Sequence, residues 1–128
     1  MNRVHFKKIE VRGDSMSPNY NDGDWLLFRL LPAKSKMASS ARGLVGKVVL
    51  IQRQSEVGTD FLQVKRVTQV SNSASASDSA SASDARKIEF WVEGDCKEKS
   101  TDSRNWGALN STEVIGKLIF RYRRAKPN

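Results

Sequence analysis

Apolar and polar residues alternate with period two through most of the chain, as they do in strands with one buried face. The pattern predicts strands over residues 4–11, 25–30, 45–53, 61–70, 88–93 and 118–123. Turn residues separate them: Asp22-Gly23, Gly43, Gly46, Gly58 and Gly94-Asp95. No stretch carries a sustained apolar period of 3.6. Helix is therefore expected only as one turn after Ser15 and one over 111–115, where Asn110 or Ser111 can cap. The expected fold is all-β, a mainly antiparallel β-domain with short helical turns.

Two stretches fall outside this pattern. Residues 71–85, "SNSASASDSASASDA", are almost wholly Ser and Ala with two Asp. Their literal alternation offers no apolar face to bury, so 71–87 is expected to be a low-complexity loop between two strands. Residues 33–43, "AKSKMASSARG", are expected to form a second, mobile loop. The chain of 128 residues is long enough for one modest core and is read as a single domain over 1–128.

Charge adds a question. The formal net charge is +8, which raises nucleic acid or an anionic membrane as a partner. The basic residues are scattered, with one dense cluster in "RYRRAKPN", and no helix-turn-helix, zinc-finger or RNA-recognition signature accompanies them. No nucleic-acid partner is expected. Peripheral contact with an anionic membrane stays open. No apolar run approaches eighteen residues and the N-terminal stretch is polar, so neither a spanning helix nor a signal peptide is expected, and a cytoplasmic location is. One cysteine, Cys96, excludes an internal disulfide, and with one histidine, His5, no classical zinc site can be assembled. No metal or cofactor is expected. His5 lies in a basic strand and is expected at the surface, so a serine nucleophile would need a different base.

Candidate chemistry lies in two places. "GDSMSPNYNDGDWLLF", residues 13–28, sets Ser15 in a run of turn formers. "FLQVKRVTQV", residues 61–70, carries two adjacent cations in an otherwise apolar strand. Neighbours in a strand face opposite ways, so two adjacent cations point to opposite faces of it. Alternation groups Lys65 with Phe61 and Val67, and Arg66 with Leu62 and Val64, which leaves both an edge strand with a charged rim and a buried neutral lysine open.

"GDSMSP" with "DGD", then "VKRV", then "GDCKEKSTDSRNWG" and "VIGK" resemble, in that order, the type I signal peptidase family of Ser-Lys endopeptidases. The blocks span most of the chain outside the two loops. The first two are shared with LexA-like self-cleaving repressors, whereas the Ser-x-Asp-Ser-Arg-x-Trp-Gly block is particular to the signal peptidases. The resemblance implies a mostly antiparallel β-domain and a serine endopeptidase. It implies Ser15 as nucleophile, Lys65 as general base and Ser100 as the hydroxyl that orients the lysine amine. Asp102 and Arg104 would brace the site, and Met16 and Pro18 would shape the turn. Some members add a hydroxyl donor two residues before the nucleophile, where this chain has Gly13. The implied substrate is an extended peptide of a precursor protein with small residues one and three positions before the cut. The walls of its site are expected near residues 9–13 and 61–65.

The chemistry requires a perturbed lysine, since at its ordinary pKa only roughly one molecule in 2,500 would be neutral at pH 7. Signal peptidases usually carry an N-terminal membrane anchor, for which Ser15 leaves no room. Short anchorless members resemble the proteases that mature nickel-type superoxide dismutase. Asn19 and Tyr20 stand where Thr and an aliphatic residue are usual, and Cys96 where Asn is common. The competing readings are a LexA-like self-cleaving regulatory domain and a non-catalytic peptide-binding module. No DNA-binding block precedes Ser15, and Ser15, Lys65 and Ser100 are all intact, which weighs against both.

Overall fold

The computed structural model describes residues 5–31, 41–54, 57–72 and 88–125. Seven strands form one sheet: β1 (Phe6–Glu10), β2 (Trp25–Leu30), β3 (Val48–Gln54), β4 (Asp60–Asn72), β5 (Ile88–Glu93), β6 (Leu109–Asn110) and β7 (Val114–Arg123). Their order is β1-β2-β7-β3-β4-β5-β6, and every pairing is antiparallel. Among the described residues, helical structure is limited to one turn at Ser103–Trp106 and 3-10 turns at Ala41–Leu44, Lys97–Lys99 and Ser111–Glu113. The fold is the all-β domain expected from the alternation.

Details depart from the pattern for local reasons. β7 begins at Val114, not at 118, and helix in that region stops at Glu113. Gly116 hides the alternation: it lies where a Cβ would come within 3.4 Å of Arg29 O, Leu50 Cβ and Phe28 Cβ. β3 starts at Val48, because Gly46 turns the chain at φ +84 and Val45 is exposed. The loop expected over 33–43 becomes a 3-10 turn from Ala41, and Ser71 and Asn72 belong to β4. The remainder of the two expected loops, 33–40 and 73–87, lies outside the described residues.

β3 explains how one sheet buries two cores. Its run Val48-Val49-Leu50-Ile51 is buried on both faces, the signature of a strand covered on each side. Val49 and Ile51 join Val67, Phe90, Val92, Leu109 and Val114 in one cluster. Val48 and Leu50 join Val11, Met16, Leu26 and Phe28 in the other. The sheet thus has two wings, each packed on an opposite face, with β3 common to both.

The register leaves two strand edges open among the described residues. β1 pairs with β2 alone. β4 pairs with β3 from Asp60 to Arg66, but with β5 only from Arg66 onward. Ile9–Arg12 and Leu62–Lys65 flank a groove of about 130 Å³, with Ser15 and Met16 at its end.

Candidate active site

The turn that carries Ser15 is built by short-range bonds and pinned from below. Ser17 N–H donates to Asp14 O at 3.1 Å and Tyr20 N–H to Met16 O at 2.9 Å. Met16 is 1% exposed and anchors the turn in the second core. Ser17-Pro18 is a cis peptide, with Pro18 exposed. Gly13 has φ +85, in the left-handed region that glycine enters without cost, and its N–H donates to Asp22 Oδ1 at 2.7 Å. Neither a side-chain hydroxyl nor a free N–H is on offer there. Ser15 O accepts from Cys96 N–H at 2.8 Å, which ties the turn to the chain beyond β5.

Register settles the direction of the two cations. Lys65 lies opposite Val49, in the first core, while Arg66 lies opposite Val48, on the other face. Lys65 is 3% exposed, although it lies in the part of β4 that is paired on the β3 side alone. Burial pushes its pKa down and the Arg104 charge adds to that; Asp102 opposes, and the net direction is down. Lys65 Nζ donates to Ser100 Oγ at 2.9 Å, and Ser100 Oγ donates to Asp102 Oδ2 at 2.7 Å.

Asp102 is fully buried and saturated with donors. Its Oδ2 also accepts from Gly94 N–H at 2.9 Å and Arg104 Nη2 at 3.0 Å, and its Oδ1 from the Arg104 backbone N–H at 3.1 Å and Nε at 3.0 Å. Burial alone would raise this carboxyl's pKa. The bonds from Arg104, Ser100 and Gly94 outweigh it and hold the group far below the usual carboxylate range. Asp102 also caps the Ser103–Trp106 turn, in a box with Asn105. Arg104 reaches Lys97 O at 3.0 Å as well, so it braces two segments.

The structure therefore brings Lys65, Ser100, Asp102 and Arg104 into one bonded chain, and places Ser15 and Lys65 in the walls of one groove. Of the stretches expected as walls, near 9–13 and 61–65, residues 9–12 and 62–65 line it.

Two features are not apparent from the spacing of the chemical residues. Gly94, which reads only as a turn former, is where the β5 end, Ser15 and Ser100 meet. A Cβ there would overlap Ser100 Oγ and lie 2.6 Å from Ser15 O. Asp95 takes both arms of Arg66, Nε to Oδ1 and Nη2 to Oδ2, each at 2.8 Å, and accepts from Asn19 Nδ2 at 2.8 Å. The two-residue Gly-Asp signal was visible, but its partners lie far away in sequence.

Among the described residues no group of three or more His, Cys, Asp or Glu could hold a metal ion, and no helix is long and apolar enough to cross a membrane. The model of the signal peptidase family, peptidase S26, matches residues 45–123. The chain belongs to that family, whose members are serine peptidases pairing serine with lysine. The matched span holds Lys65, Ser100, Asp102 and Arg104, and Ser15 lies before it. A sequence search of curated proteins finds no match to the chain.

Proposed function

We propose that the protein is a serine endopeptidase in which Ser15 attacks and Lys65 is the base, removing a leader or signal-like peptide from a precursor. The observation that carries this is the order of donors in the buried chain. Asp102 is ionised and can only accept, so the Ser100 proton points to it. Ser100 must then accept from Lys65. A neutral lysine amine that donates to Ser100 keeps its lone pair for another proton, and the groove holding Ser15 is where that proton is. Lys65 takes the Ser15 proton as Oγ bonds to the scissile carbonyl carbon. The Ser15 backbone N–H faces the developing oxyanion, and Lys65 returns the proton to the leaving amine. Water, deprotonated by Lys65, then releases the acyl group.

The open edges of β1 and β4 support an extended substrate. A peptide between them gains main-chain partners on both sides, and its alternate side chains meet the groove walls. Val11, Met16 and Val64 give that groove an apolar floor suited to small residues.

The test is cleavage of peptides with alanine one and three positions before the cut, the leader of a nickel-type superoxide dismutase precursor among them. Wild type should cut and Ser15→Ala should fold but not cut, a loss of at least about 10³-fold. Turnover by Ser15→Ala at the wild-type rate rejects the assignment.

A further inference from the structure

The nucleophile and the base sit on different wings of the sheet. Cys96 N–H holds the Ser15 carbonyl to the chain beyond β5, and the far end of the turn needs its own tie to β4. Lys65 cannot supply that tie, because its amine is bonded to Ser100. Its neighbour can. Arg66 leaves β4 on the opposite face and holds Asp95 through both arms, while Nη1 donates to Gly46 O at 2.8 Å and fixes the guanidinium to the start of β3. Burial raises the Asp95 pKa, but the bonds from Arg66 and Asn19 outweigh it and keep it charged. The carboxylate accepts from Asn19 Nδ2 at 2.8 Å, four residues after Ser15 in the same turn. Asn19 is held from its other side too. Its carbonyl accepts from Arg121 Nη1 at 2.9 Å, and that guanidinium lies 5.5 Å from the ring of Tyr20.

We propose that Asn19 is a positioning residue that sets the gap between Ser15 and Lys65, through the strut Asn19–Asp95–Arg66. This rests on the Ser-Lys reading above. Asparagine suits the role by its chemistry. Its amide donates to a charge-paired carboxylate without adding a charge, whereas aspartate would set two carboxylates against each other. A threonine hydroxyl would stop one bond short. Asn19 is exposed, so the bond adds little to global stability, and its effect falls on geometry.

The experiment compares wild type, Asn19→Ala, Asp95→Ala and the double variant on one cleaved peptide, with amide hydrogen exchange on each. Asn19→Ala should lower kcat about 10- to 100-fold, the scale of an ångström of misplacement, and leave KM within about twofold. The acid limb of the pH profile should stay in place, because the Lys65 environment is untouched. In the Asp95→Ala background, Asn19→Ala should cost nothing further, since the two act as one unit. Exchange should quicken at the Ser17 and Tyr20 amides. An unchanged kcat, a loss confined to KM, or additive losses overturn the strut. Wild type that cleaves nothing in a Ser15-dependent way fails the peptidase reading instead. Exchange then decides the strut alone, and unaltered protection in Asn19→Ala rejects it.

Discussion

Lys65 shows how a single side chain can link chemistry to stability with opposite signs. Burial against Val49 and Val67 disfavours its ammonium form and lowers its pKa. The unfolded chain therefore binds more protons between the lowered and the ordinary value, and stability rises with pH across that window. Below it, burial of the charge is a standing penalty. Lys65→Met keeps the apolar stem and discards the charge. It should be at least as stable as wild type at pH 7, with the difference shrinking as pH rises, in urea melts at pH 7 and 9. Cleavage should fall by about 10²- to 10⁴-fold, the contribution of a general base. A methionine variant clearly less stable at pH 7 would mean that the charge is paired and favourable. The pair of cations could be picked out in the sequence, because two adjacent charges in an apolar strand point to opposite faces. Which of the two turns in could not be read there, because both share their faces with valines. Only the pairing of Lys65 with Val49 decides it.

The same contrast holds for whole elements. Strands announce themselves by alternation, and five of the seven lie close to where the pattern put them. What escaped has no period to show: β6 is two residues long and the Ser103–Trp106 turn is four. The Ser103–Trp106 turn, with its Asp102 cap and Arg104, carries the site's supports, so the chemistry was more legible than its scaffold. The joint after β5 is the most demanding of them. Gly94 gives its N–H to Asp102 while leaving no space beside Ser100 and Ser15 O. Gly94→Ala must push apart segments that the relay needs in contact. It should cost about 1–3 kcal/mol, the usual range for overpacking, in thermal or urea melts. Cleavage should drop at least about 10²-fold by displacement of Ser100 and the turn. A fully active, stable alanine variant would show that the β5 end has room to yield.

At the scale of the molecule, β7 is the strand that joins the wings, pairing with β2 on one side and β3 on the other. It also secures the segment leading into β2. Asp24, 2% exposed, accepts from Arg121 Nη1 at 3.2 Å and from Ala125 N–H at 2.7 Å. A piece covering residues 1–113 should show no Ser15-dependent cleavage, and adding a separate peptide of residues 114–125 should restore part of it. Activity in the shorter piece alone would show that the wings meet without their bridge. The consequence is one of timing. Ser15 leaves the ribosome before Lys65, and the strand that brings their wings together is made after both. Until β7 emerges, a growing chain carries Ser15, Lys65, Ser100, Asp102 and Arg104 without the strand that joins their wings. If Ser15 and Lys65 pair as proposed, the order of the strands withholds that pairing from the growing chain until β7 has been made.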